Sequence, residues 1–247
     1  MTRIGTVLSL PDPVLAELAS RSLDFAWIDL EHGALSTRDA QVLALAVQST
    51  GADAYVRLPS CRADVLAALL DAGVDEIVAP RVETAAEAAE LSRRLHYPPA
   101  GSRGFGPRRA GDYGRTPGYA SSSAARVRCL LQIESQAGVA GAAEIAAVPG
   151  VDALVLGCAD LSMELGVPGR LDAPELALAA ERVADACARH GAGFALAGPG
   201  DPRGLAALAA ARAEEIVLGA DVRLYAGGVD EPVEALRAAL EAIRAAA

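Results

Sequence analysis

Short apolar runs alternate with longer stretches in which apolar residues return every three or four positions, along nearly the whole chain. The runs at 4–10, 24–30, 53–58, 75–80, 127–134, 151–157, 193–198 and 215–219 have the length of buried strands. Amphipathic patterns at 12–21, 37–50, 61–72, 84–95, 138–147, 174–190, 202–212 and 231–246 predict the helices between them. Strands each followed by a helix, in a chain of this length, predict an α/β fold: a (β/α)8 TIM barrel, with residues 1–247 forming one domain. A doubly wound open sheet shows the same alternation, but its first turn is usually glycine-rich, and here that turn reads Ser9-Leu10-Pro11-Asp12-Pro13. Two segments break the rhythm. Residues 97–126 are rich in Pro, Gly, Arg and Ser, and so long a connection is usually functional or an assembly contact. The last helix carries Val233, Leu236, Leu240 and Ile243 in one apolar stripe, suited either to closing the barrel or to docking on a neighbouring subunit.

Composition narrows the chemistry. All 22 basic side chains are arginine, so every mechanism that needs a lysine amine is excluded: Schiff-base aldolases, lysine-held pyridoxal phosphate and the Walker-type phosphate lysine. A formal charge of −10 argues against nucleic acid or an anionic membrane as partner. Cys61, Cys129, Cys158 and Cys187 show no metal-binding spacing and suit free thiols in a reducing compartment. No run reaches membrane-spanning length, and the N-terminal residues lack the apolar core of a signal peptide; a soluble, cytoplasmic protein is expected.

In a barrel of this kind, catalytic groups collect where strands end. Strand 2 runs Trp27-Ile28-Asp29-Leu30-Glu31-His32, and a period of two turns Asp29 and Glu31 the same way. Two carboxylates and an imidazole there are either a reactive group or a solvated turn with a helix cap. His96 and His190 stand at helix ends, where dipole or surface roles suit them better. Strand 3 ends in Arg57, either structural or a cationic fork for a carboxylate or a developing enolate oxygen. Gln132 and Glu134 share a face of strand 5, and Asp160 follows strand 6, so the two carboxylates can converge as oxygen ligands for a hard cation such as Mg²⁺ or Mn²⁺. The alternative for Asp160 is a helix N-cap. The turn Ala197-Gly198-Pro199-Gly200-Asp201-Pro202 is either a phosphate cradle or a turn capped by Asp201 with Pro202 opening a helix.

Six separated motifs carry a resemblance. Asp29-Leu30-Glu31-His32-Gly33, Arg57, Leu69-Leu70-Asp71-Ala72-Gly73, Tyr97-Pro98-Pro99-Ala100-Gly101-Ser102-Arg103-Gly104, Gln132-Ile133-Glu134 and Ala159-Asp160-Leu161-Ser162 resemble the HpcH/HpaI aldolase family in order and spacing, from about residue 4 to 225. The resemblance implies a class II pyruvate aldolase: a barrel using a divalent metal (Mg²⁺ or Mn²⁺, with Co²⁺ a third candidate), assembled as a trimer or hexamer with a C-terminal helix exchanged between subunits. It implies Glu134 and Asp160 as metal ligands and Gln132 beside the pyruvate end of the substrate. Arg57 would sit on the keto oxygen, and His32, oriented by Asp29, would serve as acid and base. Glu31 would act on a water beside the metal, and the backbone amides of Ala159 and Asp160 would hold the pyruvyl carboxylate. Asp71 matches a residue given across a subunit boundary. Cys158 replaces a proline usual in the family, which bears on the shape of the pyruvate pocket, and the 105–126 connection differs in detail, which bears on aldehyde specificity. A citrate-lyase-β-like or malyl-CoA-lyase-like enzyme, and a non-catalytic metabolite-binding barrel, are the other readings.

Overall fold

The computed structural model describes residues 1–122, 127–209 and 212–245, with the side chains of 240 and 243–245 left aside. The strands are β1 (Arg3–Leu8), β2 (Phe25–Asp29), β3 (Asp53–Arg57), β4 (Glu76–Ala79), β5 (Arg128–Ile133), β6 (Ala153–Gly157), β7 (Gly193–Gly198) and β8 (Glu215–Ala220). They pair in parallel in sequence order, and β8 returns to β1, which closes the barrel and rules out the open sheet. The helices are α1 (Pro13–Ser20), α2 (Thr37–Gln48), α3 (Leu66–Ala72), α4 (Ala85–Leu95), α5 (Tyr119–Ser122), α6 (Gln136–Ala146), α7 (Cys158–Glu164), α8 (Pro174–His190), α9 (Pro202–Ala209) and α10 (Asp221–Ala245). Side-chain caps fix several starts: Asp12, Thr84 and Ser135 accept from the first turns of α1, α4 and α6, and Ser36 forms a capping box with Asp39 at α2.

Alternation along the strands sorts the side chains into two cores. Ile28, Val56, Ile77, Leu131, Leu156 and Leu196 face the helices, while Phe25, Trp27, Tyr55, Val78, Leu130, Val155 and Val217 fill the barrel. Below that filling, a network of charges forms the floor. Arg128 Nη1 donates to Glu76 Oε1 at 2.8 Å and to Glu215 Oε1 at 3.0 Å. Tyr55 donates to Glu215 at 2.9 Å, and Arg3 pairs with Glu215 and Asp53. Such a layer at the N-terminal face serves stability.

Burial pushes the Glu76 carboxyl up to about 7, Arg128 opposing. Because the folded pKa is raised, Glu76 holds a proton in the folded state that the unfolded chain loses, so stability falls as pH rises from about 4.5 to 7, by on the order of 3 kcal/mol. Glu76→Gln is therefore expected to flatten the fall in unfolding midpoint across that window, followed by denaturant titration at a series of pH values. An unchanged slope would place the proton elsewhere.

The structure revises several boundaries. Strand 1 stops at Leu8, because Asp221 accepts from the backbone N–H groups of Ser9 and Leu10 and from the Ser9 hydroxyl. The short helix α7 stands where the sequence reads only as a strand end. The terminal helix begins at Asp221 rather than 231, running through Gly227, Gly228 and Pro232. It stands exposed: Val233 and Leu236 are 40% and 62% accessible. The side chains of Leu240 and Ile243, expected on the same stripe, lie outside the described residues, as do 210 and 211 of the expected 202–212 helix and 123–126 of the long connection. The four cysteines are unpaired. No described helix is long and apolar enough to cross a membrane.

Candidate active site

The strand ends open into a cavity of about 460 Å³. Register β2–β3 sets Asp29 beside Arg57, and both side chains point inward by the alternation that also points Trp27 inward. The pair is bidentate: Arg57 Nε donates to Asp29 Oδ1 at 2.9 Å and Nη2 to Oδ2 at 2.7 Å. Arg57 Nη1 lies 3.2 Å from Glu31 Oε2 and donates to Gln132 Oε1 at 3.4 Å, while the guanidinium rests 5.4 Å from the Trp27 ring centre. Burial alone would raise Asp29; the hydrogen bonds and charge of Arg57 hold it below the usual carboxylate range.

Asp29 Oδ1 also accepts from the backbone N–H groups of Glu31 and His32, at 3.0 and 3.3 Å. The expected orientation of His32 by Asp29 therefore runs through the main chain. The imidazole itself, two-thirds exposed at the mouth, faces Glu31, with Nε2 3.7 Å from Oε2. Burial pushes Glu31 up, Arg57 and His32 opposing.

Glu134 lies just past β5 and is 3% exposed. Its Oε1 accepts from the Arg81 backbone N–H at 2.9 Å, and its Oε2 accepts from the Gln132 amide. Arg81 supplies that N–H from a left-handed backbone conformation (φ 50°), a strain found mainly at functional sites. Burial, then the charges of Glu31 and Asp160, push Glu134 up to about 7. Gly157 leaves the space: a Cβ there would stand 2.8 Å from both Glu134 Cβ and Gln132 Nε2. Asp160 is not an N-cap. Gly157 holds that position without a side-chain bond, Cys158 opens α7, and Asp160 sits in its first turn facing the cavity with Ala159. Cys158 thus takes a first helical position, where proline is favoured but not required.

The donor set fits a hard divalent cation. Among the described residues no three His, Cys, Asp or Glu side chains group closely enough to hold an ion by themselves. Glu134 is, however, a carboxylate pushed up by burial and by two neighbouring carboxylates, and answered by an amide, a backbone N–H and the charge of Arg57. An ion bound through one or two carboxylates, keeping several waters, matches that arrangement.

The family described as HpcH/HpaI aldolase/citrate lyase matches residues 3–226. The chain belongs to the HpcH/HpaI family. Its relatives include a 2-dehydro-3,6-dideoxy-6-sulfogluconate aldolase from Pseudomonas putida, 38% identical over 70% of this chain and 69% of that one. A 4-hydroxy-2-oxovalerate aldolase from Rhodococcus jostii is 37% identical over 71% and 69%. The crystal structure of an HpcH/HpaI aldolase/citrate lyase family protein from Burkholderia cenocepacia J2315 superimposes with a TM-score of 0.86 at 30% identity, covering 98% of this chain and 95% of that one.

In this HpcH/HpaI barrel the cavity gathers Asp29, His32, Arg57, Gln132, Ala159 and Asp160. Glu31 and Glu134 adjoin that lining through Arg57 and Gln132 rather than forming part of it, and Asp71 lies apart on α3, where Arg103 Nη2 donates to its Oδ1 at 3.2 Å. Sequence reading overlooked Trp27, Ser9 and Arg223, which also line the cavity. Trp27 shares the parity of Asp29 and was within reach of the same argument. Ala197 and Gly198 end β7, and a short turn leads on to α9, with Asp201 Oδ1 accepting from Arg203 N at 3.1 Å and Pro202 opening the helix.

Proposed function

We propose that this HpcH/HpaI chain, acting as one catalytic domain, is a class II aldolase that reversibly cleaves a 4-hydroxy-2-oxo acid into pyruvate and an aldehyde. The observation that carries the reading is the buried Arg57 fork, set in register with Asp29, joined through Gln132 to Glu134 and sharing the cavity with Asp160. Glu134 and Asp160 would hold a divalent ion, Mg²⁺ or Mn²⁺, which when bound supplies Lewis-acid stabilisation of negative charge.

The chain's own residues do the rest. The backbone N–H groups of Ala159 and Asp160, free at the start of α7, take the pyruvyl carboxylate. Gln132, in contact with both Arg57 and Glu134, positions the oxo-acid end. His32, beside Glu31 at the mouth, takes the C4 hydroxyl proton; the C3–C4 bond breaks, its electron pair passing into the enolate of pyruvate as the aldehyde forms. Arg57 holds the enolate oxygen, its fork kept rigid by Asp29, and a proton delivered to C3 completes pyruvate. Asp71, outside its own cavity lining, fits a role toward a second copy. The exposed α10 supports a trimer or hexamer built by helix exchange.

Exchange of the pyruvate methyl protons in D₂O tests the reading without knowledge of the aldehyde. Exchange is expected with Mg²⁺ or Mn²⁺ and is expected to stop on chelation, followed by NMR. No exchange with Mg²⁺, Mn²⁺ or Co²⁺, or exchange that survives chelation, would overturn it.

A further inference from the structure

The cavity wall divides into two unlike halves. The ends of β2, β3, β5 and β6 bring Asp29, His32, Arg57, Gln132 and Asp160. The ends of β7, β8 and β1 bring Ala197, Gly198, Pro199, Val217, Gly219, Ala220 and Val222, an apolar wall broken by Ser9 and Arg223. In a closed barrel with its strands in sequence order, β1 lies opposite β5 and β7 opposite β3. A substrate whose oxo-acid end lies at Arg57 and Glu134 therefore extends its other end toward β7, β8 and β1.

Arg223 reaches that wall from the first turn of α10. Its Nη1 donates to the Pro199 carbonyl at 3.0 Å, which fixes one arm of the fork. The carbonyl is itself held in place, because the β7 and β8 turns pack directly on each other. A Cβ at Gly219 would stand 3.0 Å from Gly200 Cα, and both glycines have positive φ. Among the described residues no carboxylate pairs with Arg223. Its neighbour Asp221 is turned to the N–H groups of Ser9 and Leu10. Arg57, by contrast, has its charge met by Asp29 and Glu31. Arg223 thus brings an uncompensated positive charge to the half of the cavity that receives the aldehyde, with guanidinium N–H groups left to donate.

Building on the aldolase reading, we propose that Arg223 anchors an anionic group at the far end of the aldehyde, so that the chain prefers aldehydes carrying a carboxylate or phosphate over neutral ones of similar length. The apolar wall would carry the intervening carbons, and the fixed arm at Pro199 leaves the rest of the fork for the anion.

The test measures kcat/KM for addition of pyruvate to paired aldehydes with Mg²⁺ present. Succinic semialdehyde is set against butanal, and glyceraldehyde 3-phosphate against glyceraldehyde. Wild type is expected to prefer the anionic member of at least one pair by roughly tenfold or more, and the pair that responds identifies the anion. Arg223→Ala is expected to bring that ratio toward one, Arg223→Glu below one, and Arg223→Lys to hold it above the alanine value. A purely structural role, acting through the Pro199 carbonyl, would lower both members of a pair together and leave the ratio intact, which would overturn the proposal. So would a wild-type ratio near one in both pairs. Exchange of the pyruvate methyl protons by wild type separates the two ideas. With exchange present and no preference, the aldolase reading stands and the Arg223 anchor falls. Without exchange, the aldolase reading fails and the anchor fails with it.

Discussion

Glu134→Gln is expected to lower metal-dependent turnover by at least about a thousandfold while raising the unfolding temperature of the metal-free protein by several degrees. The two effects have one cause. Glu134 is buried, and burial with the charges of Glu31 and Asp160 pushes its carboxyl up to about 7. Because the folded pKa is raised, ionisation at pH 8 costs the folded state on the order of 3 kcal/mol that an uncharged amide does not incur. The same substitution removes one of the two carboxylates proposed to hold the ion, which would leave too few anionic oxygens for a hard cation. Calorimetry in chelator at pH 8, beside exchange and cleavage assays, reads both effects. Retained metal-dependent turnover would take Glu134 out of the ligand set, and a drop in unfolding temperature would show that its carboxylate supports the fold. Loss of function with gain of stability is what a site built for function at the expense of stability should show.

Arg57→Lys is expected to lower kcat by about a hundredfold or more while raising KM by a much smaller factor. The fork makes two parallel bonds to Asp29 and presents its remaining nitrogen toward Gln132 and Glu31. An ammonium keeps the charge but cannot keep that geometry. In the proposed mechanism the interaction is strongest when charge develops on the enolate oxygen, so its loss would fall on kcat. Arg57→Ala removes the charge as well and leaves Asp29 buried without its partner, a loss of about 3–5 kcal/mol in stability. The lysine variant is therefore the cleaner probe. Steady-state kinetics at saturating metal distinguish the cases, and a change confined to KM would reduce Arg57 to ground-state binding.

Much of this was legible in the sequence, for physical reasons that also mark where legibility ends. Strand alternation set Asp29 with Glu31 and Gln132 with Glu134, because a buried parallel strand leaves a side chain only two directions, and Arg57 showed as the polar end of an apolar run. The same rule applied to Trp27 and was not carried through. The helix α7 escaped notice because it is short and opens without a side-chain cap. The early start of α10 was hidden behind Gly227, Gly228 and Pro232, which read as breaks. Arg81 could not have been found by residue type, since it serves Glu134 through its backbone N–H. Arg223 meets the cavity from beyond the last strand, and a purely local pattern does not show which distant turns a barrel brings to its mouth. The direction of the His32 ring, toward Glu31 rather than Asp29, is likewise a matter of packing.

The charged floor beneath Phe25, Trp27 and Tyr55 has a further consequence. A barrel sealed at that end has a single door. Both substrates of the proposed reaction would come and go at the strand-end mouth, where His32 and Arg223 both line the cavity. Two fragments sharing one opening would be queued there, so that an aldehyde held at Arg223 would stand in the path of pyruvate. The order of binding and release would be imposed by architecture rather than by relative affinity.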